Sequence, residues 1–289
     1  MEENKMKKFL EISLALMLTI GLLGGCGAKE EAKVPEGSTL SGKIVIAGST
    51  SVQPLSEELA DAFTEKYPEV SIEVQGGGSS VGVKSAKEKI ADMGASSRAV
   101  KESEKEYGLT EYVIAKDGIA VVVNPSNKVD DLSLEQIKKI FTGAITNWKE
   151  VGGADKEITV VSREDGSGTR GAFVEITKVL DENGEGKKID NTTKNALVQP
   201  STGAVKQTVA NTPDAIGYIS MGGMDDTVKD VKVEGVSATE ENAKAGTYKI
   251  SRPFLYLTNG EESEVVKKYM EFVLNEGQEI VKEEFISVK

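Results

Sequence analysis

An α/β fold in two lobes is what this sequence predicts, on three observations. The chain has 289 residues, which is long enough for roughly two globular units. Its apolar content of 38% can bury a core while leaving a charged surface. From Lys43 onward, short β-rich runs alternate with amphipathic stretches, the pattern of strands feeding helices. Composition also removes several chemistries. The chain has no histidine, which excludes Ser-His-Asp and Cys-His catalysis and His-ligated zinc. A single cysteine excludes an internal disulfide and any multi-thiolate metal site. The net charge of -12 lacks the basic balance expected of a nucleic-acid binder.

The elements follow in chain order, and the first is an address. Residues 14–23 (LALMLTIGLL) form an apolar run of ten, too short for the roughly 20 residues of a membrane span but suited to a signal-peptide core. Residues 1–12 hold three Lys and three Glu, whereas a start at Met6 leaves a net +1, as export signals prefer. The run leads into Leu23-Gly24-Gly25-Cys26, which resembles a bacterial lipobox. The expectation is therefore a signal peptide over 1–25 and a lipidated Cys26, whose acyl chains would hold the protein to a membrane. Residues 27–42 (GAKEEAKVPEGSTLSG) then read as a flexible tether.

Strands are predicted at 43–47, 71–75, 119–124 and 158–162, where β-branched residues cluster. Val52, Leu55, Leu59, Phe63 and Tyr67 mark one helical face, and Phe173, Ile176, Thr177 and Leu180 follow the helical spacing of another. Ser133 and Gln136 form a capping box at a helix start. Residues 261–285 read as one or two further helices with Val265, Tyr269, Phe272 and Val273 inward.

Three predicted strand-to-helix turns share one chemistry: Gly48-Ser49-Thr50-Ser51, Gly76-Gly77-Gly78-Ser79-Ser80, and the stretch from Arg163 through Glu164, Asp165, Gly166, Ser167, Gly168 and Thr169 to Arg170. Glycine lets a backbone approach a ligand, hydroxyls supply hydrogen bonds, and a helix start offers unpaired N–H groups and a positive dipole end. Singly, each turn reads more readily as an ordinary N-cap, where Ser and Thr are favoured for structural reasons. Together they describe an oxyanion site. The chain holds four arginines (Arg98, Arg163, Arg170, Arg252) against 31 lysines, so arginine is not the general surface cation here. Its planar fork matches two oxygens of a tetrahedral anion, whereas lysine is a point charge.

Two patterns mislead. Gly78-Ser79-Ser80-Val81-Gly82 matches the G-x-S-x-G nucleophile elbow, but no histidine exists to activate the serine. The stretch 77–85 brushes the P-loop pattern, but Val83 separates Gly82 from Lys84 and breaks the Gly-Lys-Ser/Thr run. Both leave glycines and hydroxyls that hold an anion without transforming it.

At AGSTSVQP (47–54), QGGGSSVGVK (75–84), MGASSR (93–98), REDGSGTR (163–170) and AIGYIS (215–220), the chain resembles the extracytoplasmic phosphate-binding proteins of ABC transporters. The resemblance implies a two-lobed, type II periplasmic-binding-protein fold with its ligand in the interlobe cleft. It implies a binding protein that is not an enzyme, that needs no cofactor or metal, and that delivers inorganic phosphate to ABC permease subunits. The expected protein is a monomer outside the cytoplasm, held to the cell membrane by its lipid, with no nucleic-acid partner. Sulfate, molybdate and tungstate stand as alternative ligands. The lobes would be 43–117 with 250–289, and 118–249. Carried over by position, Thr50, Ser51, Ser79, Ser97, Arg163, Ser167, Gly168 and Thr169 would bind phosphate, with Asp165 orienting Arg163. One position departs: many relatives have an aspartate where this chain has Ser97, which leaves Asp165 as the expected acceptor of the phosphate proton.

Overall fold

The first β-branched run closes into strand β1 (Gly42–Gly48) of a computed structural model that describes residues 40–183 and 186–289. The leader, Cys26 and most of the tether lie outside the described residues. Strand β1 begins one residue before the predicted boundary at Lys43, since Gly42 already pairs with Val70, and Leu40 packs against a core. Helix α1 (Gln53–Lys66) buries Leu55, Leu59 and Phe63 and leads to β2 (Val70–Gly76). Helix α2 (Ser79–Lys87) and strand β3 (Met93–Ser96) follow.

Strand β4 (Thr110–Val123) is longer than its apolar run 119–124 predicts, since Ala115 to Gly118 continue the ladder. Next come β5 (Asp131–Leu132), α3 (Leu134–Thr142) with the predicted Ser133–Gln136 capping box, and β6 (Thr159–Arg163). Helix α4 (Gly168–Ile176) ends earlier than its apolar spacing suggests. Thr177 caps it by donating its hydroxyl to the Phe173 carbonyl at 2.7 Å, and Leu180 opens strand β7 (Leu180–Glu182). Strands β8 (Lys188–Asp190) and β9 (Leu197–Gln199), helix α5 (Thr202–Asn211), strands β10 (Ala215–Ser220) and β11 (Lys229–Val233), helix α6 (Glu240–Lys244) and strand β12 (Ser251–Thr258) complete the middle of the chain. The C-terminal stretch forms α7 (Glu264–Leu274) and α8 (Gln278–Glu284), with Val265, Tyr269 and Val273 buried and Phe272 partly so.

One mixed sheet runs β2-β1-β3-β12-β4-β10-β6-β9, with β11 and β5 joined to it through β4. Strand β4 unites it: Thr110 to Gly118 pair with β12, and Ile119 to Val123 pair with β10. Two large apolar cores lie along this sheet. One gathers Ile44, Leu55, Phe63, Phe254 and Tyr269; the other gathers Val121, Ile137, Phe173, Val205 and Tyr218. Ala115 belongs to the first core and Ile119 to the second, while Ile250 belongs to the second and Phe254 to the first.

The chain therefore passes between the cores along β4 and again along β12, Ile286 near the C-terminus also reaches the second core, and a buried ion pair sits at the β4–β12 passage. Arg252 donates through Nε (3.0 Å) and Nη2 (2.9 Å) to Asp117, which also accepts from Ser220 Oγ at 2.8 Å and the Met221 N–H at 3.2 Å. Burial pushes the Asp117 carboxyl above its ordinary range, with Arg252 opposing. Such a pair adds little net stability but leaves a buried charge exposed to neither water nor partner if one side is removed. Among the described residues, no helix is long and apolar enough to cross a membrane.

Candidate functional site

The three predicted turns meet where the two cores face each other. Strand β1 ends at Gly48, and Ser49, Thr50 and Ser51 carry the chain into α1. Strand β2 ends at Gly76, and Gly78, at φ +90°, turns the chain into α2 at Ser79. From the other side, β6 ends at Arg163, and Ser167 caps α4 by accepting from the Arg170 N–H at 3.2 Å. Backbone contact joins the two sides directly, since the Ser80 N–H donates to the Gly166 carbonyl at 3.0 Å.

Hydroxyls line this seam. Ser51 Oγ lies 2.8 Å from Thr169 Oγ1 and 2.8 Å from Thr202 Oγ1. Ser49 Oγ donates to Ser97 Oγ at 2.8 Å, Ser79 Oγ lies 3.3 Å from Ser97 Oγ, and the Ser97 N–H donates to Ser79 Oγ at 3.0 Å. All of these side chains are buried. Gly168 is a close-approach glycine: a Cβ there would lie 2.2 Å from Ser79 Oγ and 2.6 Å from Ser97 Oγ. Only a residue without a side chain lets the start of α4 press against these serines.

Arg163 sits at the centre with 2% exposure. One edge of its guanidinium is held by Glu164, with Nε to Oε2 and Nη2 to Oε1 both at 2.9 Å. Its outer nitrogens reach across the seam: Nη2 donates to Thr50 Oγ1 at 3.2 Å and Nη1 to Thr202 Oγ1 at 3.4 Å. Its backbone N–H donates to Tyr218 Oη at 3.3 Å, and Tyr218 shares a 2.8 Å hydrogen bond with Ser162 while stacking on Phe173 at 4.0 Å between ring centroids. Burial pushes the Tyr218 phenol up to about 12, so it stays a neutral support behind the arginine.

Thr50, Ser51, Ser79, Ser97, Arg163, Ser167, Gly168 and Thr169 are thus gathered at one seam. Asp165 is not part of it. Its side chain is 95% exposed and pairs with Arg170 at 2.6 Å, so it neither orients Arg163 nor faces the hydroxyls. Glu164, one residue earlier, takes that role because the chain leaving β6 turns its side chain back along the guanidinium. The other three arginines are structural. Arg98 forms a two-pronged pair with Glu104, with both contacts at 2.7 Å, Arg170 is held by Asp165 and Asp190, and Arg252 by Asp117.

Ser49 and Glu164 lie in the predicted turns but carry no predicted role of their own, and Thr202 lies outside those turns. Thr202 carried a signal, since Ser201-Thr202-Gly203 is a fourth strand-to-helix turn with a serine cap, but β9 before it is only three residues long. Chemically, the seam can surround a small tetrahedral anion with a guanidinium edge, hydroxyls and the starts of α2, α4 and α5.

The chain matches a family model described as the PBP superfamily domain over residues 33–276. It is 33% identical over 285 residues to the phosphate-binding protein PstS of Bacillus subtilis, an alignment covering 96% of this chain and 90% of that one. A Clostridium perfringens structure described as a candidate phosphate ABC transporter substrate-binding protein with bound phosphate is 49% identical, with a TM-score of 0.81 over 86% of this chain and 100% of that one. An ABC-type phosphate transport receptor from Vibrio cholerae is 36% identical, with a TM-score of 0.68 over 83% of this chain and 97% of that one.

Proposed function

The chain belongs to the PBP superfamily, among the phosphate-binding proteins of ABC transporters, and from that membership we propose that it is a lipid-anchored receptor whose two halves close on one inorganic phosphate ion. The observation that carries this reading is the outer edge of Arg163 facing Thr50 and Thr202 across a seam of hydroxyls. In this reading the Thr50 oxygen stands in for one oxygen of the anion, which would take Nη2 in its place, while Nη1, with two protons, would meet a second anion oxygen and keep Thr202. Thr169 and Ser167 would donate from the start of α4, and Ser51, Ser79 and Ser97 from the facing turns. Glu164 would hold the guanidinium planar to the ligand.

The halves would be 43–117 with 250–289, and 118–249, hinged where β4 and β12 pass between the two cores, as in other two-lobed receptors that close on their ligands. Capture without turnover fits a site with no histidine. The receptor would act outside the cytoplasm, monomeric, tethered through Cys26, and would pass phosphate to permease subunits. Titration calorimetry of the protein purified without its leader tests the ligand. One phosphate per chain is expected, with sulfate, molybdate and arsenate as competitors. Tight binding of sulfate or molybdate without phosphate would replace phosphate by another tetrahedral oxyanion. For the anchor, Cys26→Ser is expected to move the full-length protein from the detergent phase to the aqueous phase, and unchanged partitioning would overturn lipidation.

A further inference from the structure

We propose that Thr202 is a positioning residue for phosphate retention, pinning Arg163 and the β1–α1 turn to each other across the seam. Thr202 is the first residue of α5, whose Val205 and Val209 lie in the second core, whereas Thr50 and Ser51 belong to the turn packed on the first. Three bonds converge on this one residue. Its Oγ1 lies 2.8 Å from Ser51 Oγ, the same Oγ1 accepts from Arg163 Nη1 at 3.4 Å, and its N–H donates to Thr50 Oγ1 at 3.3 Å. The side chain is 7% exposed, so these bonds are made where water competes weakly. Its methyl faces Gly223, where an added Cβ would lie 3.2 Å from Cγ2.

The consequence is kinetic. The bonds to Thr50 and Ser51 join residues 152 and 151 apart in sequence, and in this reading they form only when the halves meet. Bonds made after encounter slow departure and leave arrival unchanged. Thr202 therefore acts on release of the anion, through the guanidinium it steadies and the turn it holds. This inference rests on the closure described above.

The test uses the protein preloaded with radiolabelled phosphate and chased with excess unlabelled phosphate. Thr202→Val keeps the shape and removes the hydroxyl; it is expected to speed release about 10-fold, the effect of losing roughly one hydrogen bond, with the association rate within about twofold of the parent. Thr202→Ser, which keeps the hydroxyl, is expected to hold release within about threefold. The melting temperature without phosphate is expected to be the same in all three proteins, and the phosphate-induced rise to shrink in Thr202→Val alone. Release by Thr202→Val at the parental rate would overturn the role of Thr202 while leaving phosphate capture intact. An equal loss of melting temperature with and without phosphate would show a merely structural residue and also overturn it. A parent that binds no phosphate would strike down the proposed function, and this inference with it.

Discussion

A guanidinium can address an anion with one edge only if something else holds the other, and here the holder is Glu164 and not Asp165. The two carboxylates are neighbours, yet one lies 2.9 Å from Arg163 at both contacts and the other is 95% exposed on Arg170. Glu164→Gln is therefore expected to weaken phosphate binding by roughly 1–3 kcal/mol, the cost of removing the charged partner from a buried hydrogen-bonded arginine. Asp165→Asn is expected to change affinity less than about twofold, as exposed pairs contribute little, and to leave the preference for phosphate over sulfate unchanged. Calorimetric competition on both variants checks this, and a larger loss in Asp165→Asn than in Glu164→Gln would reverse the assignment. Ser97 adds a further constraint at this scale. Its hydroxyl accepts from Ser49 and lies 3.3 Å from Ser79 Oγ, and a hydroxyl can turn to donate or accept toward an anion, whereas an ionised carboxylate only accepts.

At the scale of elements, the site depends on how closely α2 lies on its strands. A Cβ on Gly82 would sit 2.3 Å from the Ala95 carbonyl oxygen and 2.9 Å from that of Ala47, and one on Gly94 would sit 2.2 Å from the Gly82 carbonyl oxygen. The glycine that completes the false nucleophile elbow is thus a packing glycine, and its contact with β1 and β3 fixes where Ser79 points. Gly82→Ala is expected to destabilise the protein by about 1–3 kcal/mol, because the clash is with backbone and forces the helix to shift. Thermal melting without ligand checks the stability, and calorimetry is expected to show weaker phosphate binding as Ser79 moves with the helix. An unchanged melting temperature would mean that α2 can slide at no cost.

For the whole molecule, three buried or half-buried carboxylates paired with arginine shape the pH dependence, since solvent screens the exposed ones. Burial raises Glu104, but the hydrogen bonds from Arg98 and the Lys101 N–H outweigh it and hold the carboxyl below its ordinary range. Asp190 behaves likewise, with burial overcome by Thr192 and Arg170. A carboxyl whose folded pKa is depressed contributes stability that is complete above its unfolded value, near 4, and is lost as pH falls through the folded value. Asp117 has the opposite sign: burial raises it, so its contribution declines as pH rises past the ordinary aspartate range. Two carboxylates against one predict a melting temperature that falls as pH drops from about 5 toward 3, with Glu104→Gln flattening that fall. A melting temperature that rises over the same interval would show the Asp117 pair to dominate.

Strand periodicity, helix faces and caps are local properties, and the sequence by itself determined them: β1, β2, β6, the buried face of α1 and the Ser133 cap all stand where the residues place them. It also determined the chemistry of the site, because hydroxyls, glycines and scarce arginines at strand-to-helix turns are visible one turn at a time. Tertiary structure decided what depends on direction and on partners far along the chain. Which carboxylate turns toward Arg163 is a matter of backbone orientation after β6, and periodicity carries no such information. Three of the four arginines were claimed by carboxylates 5 to 135 residues away, which composition cannot assign. Thr202 entered the seam because β9, too short to read, lies beside β6 in parallel register with Gln199 opposite Arg163. That placement follows from sheet order, a property of the folded chain as a whole.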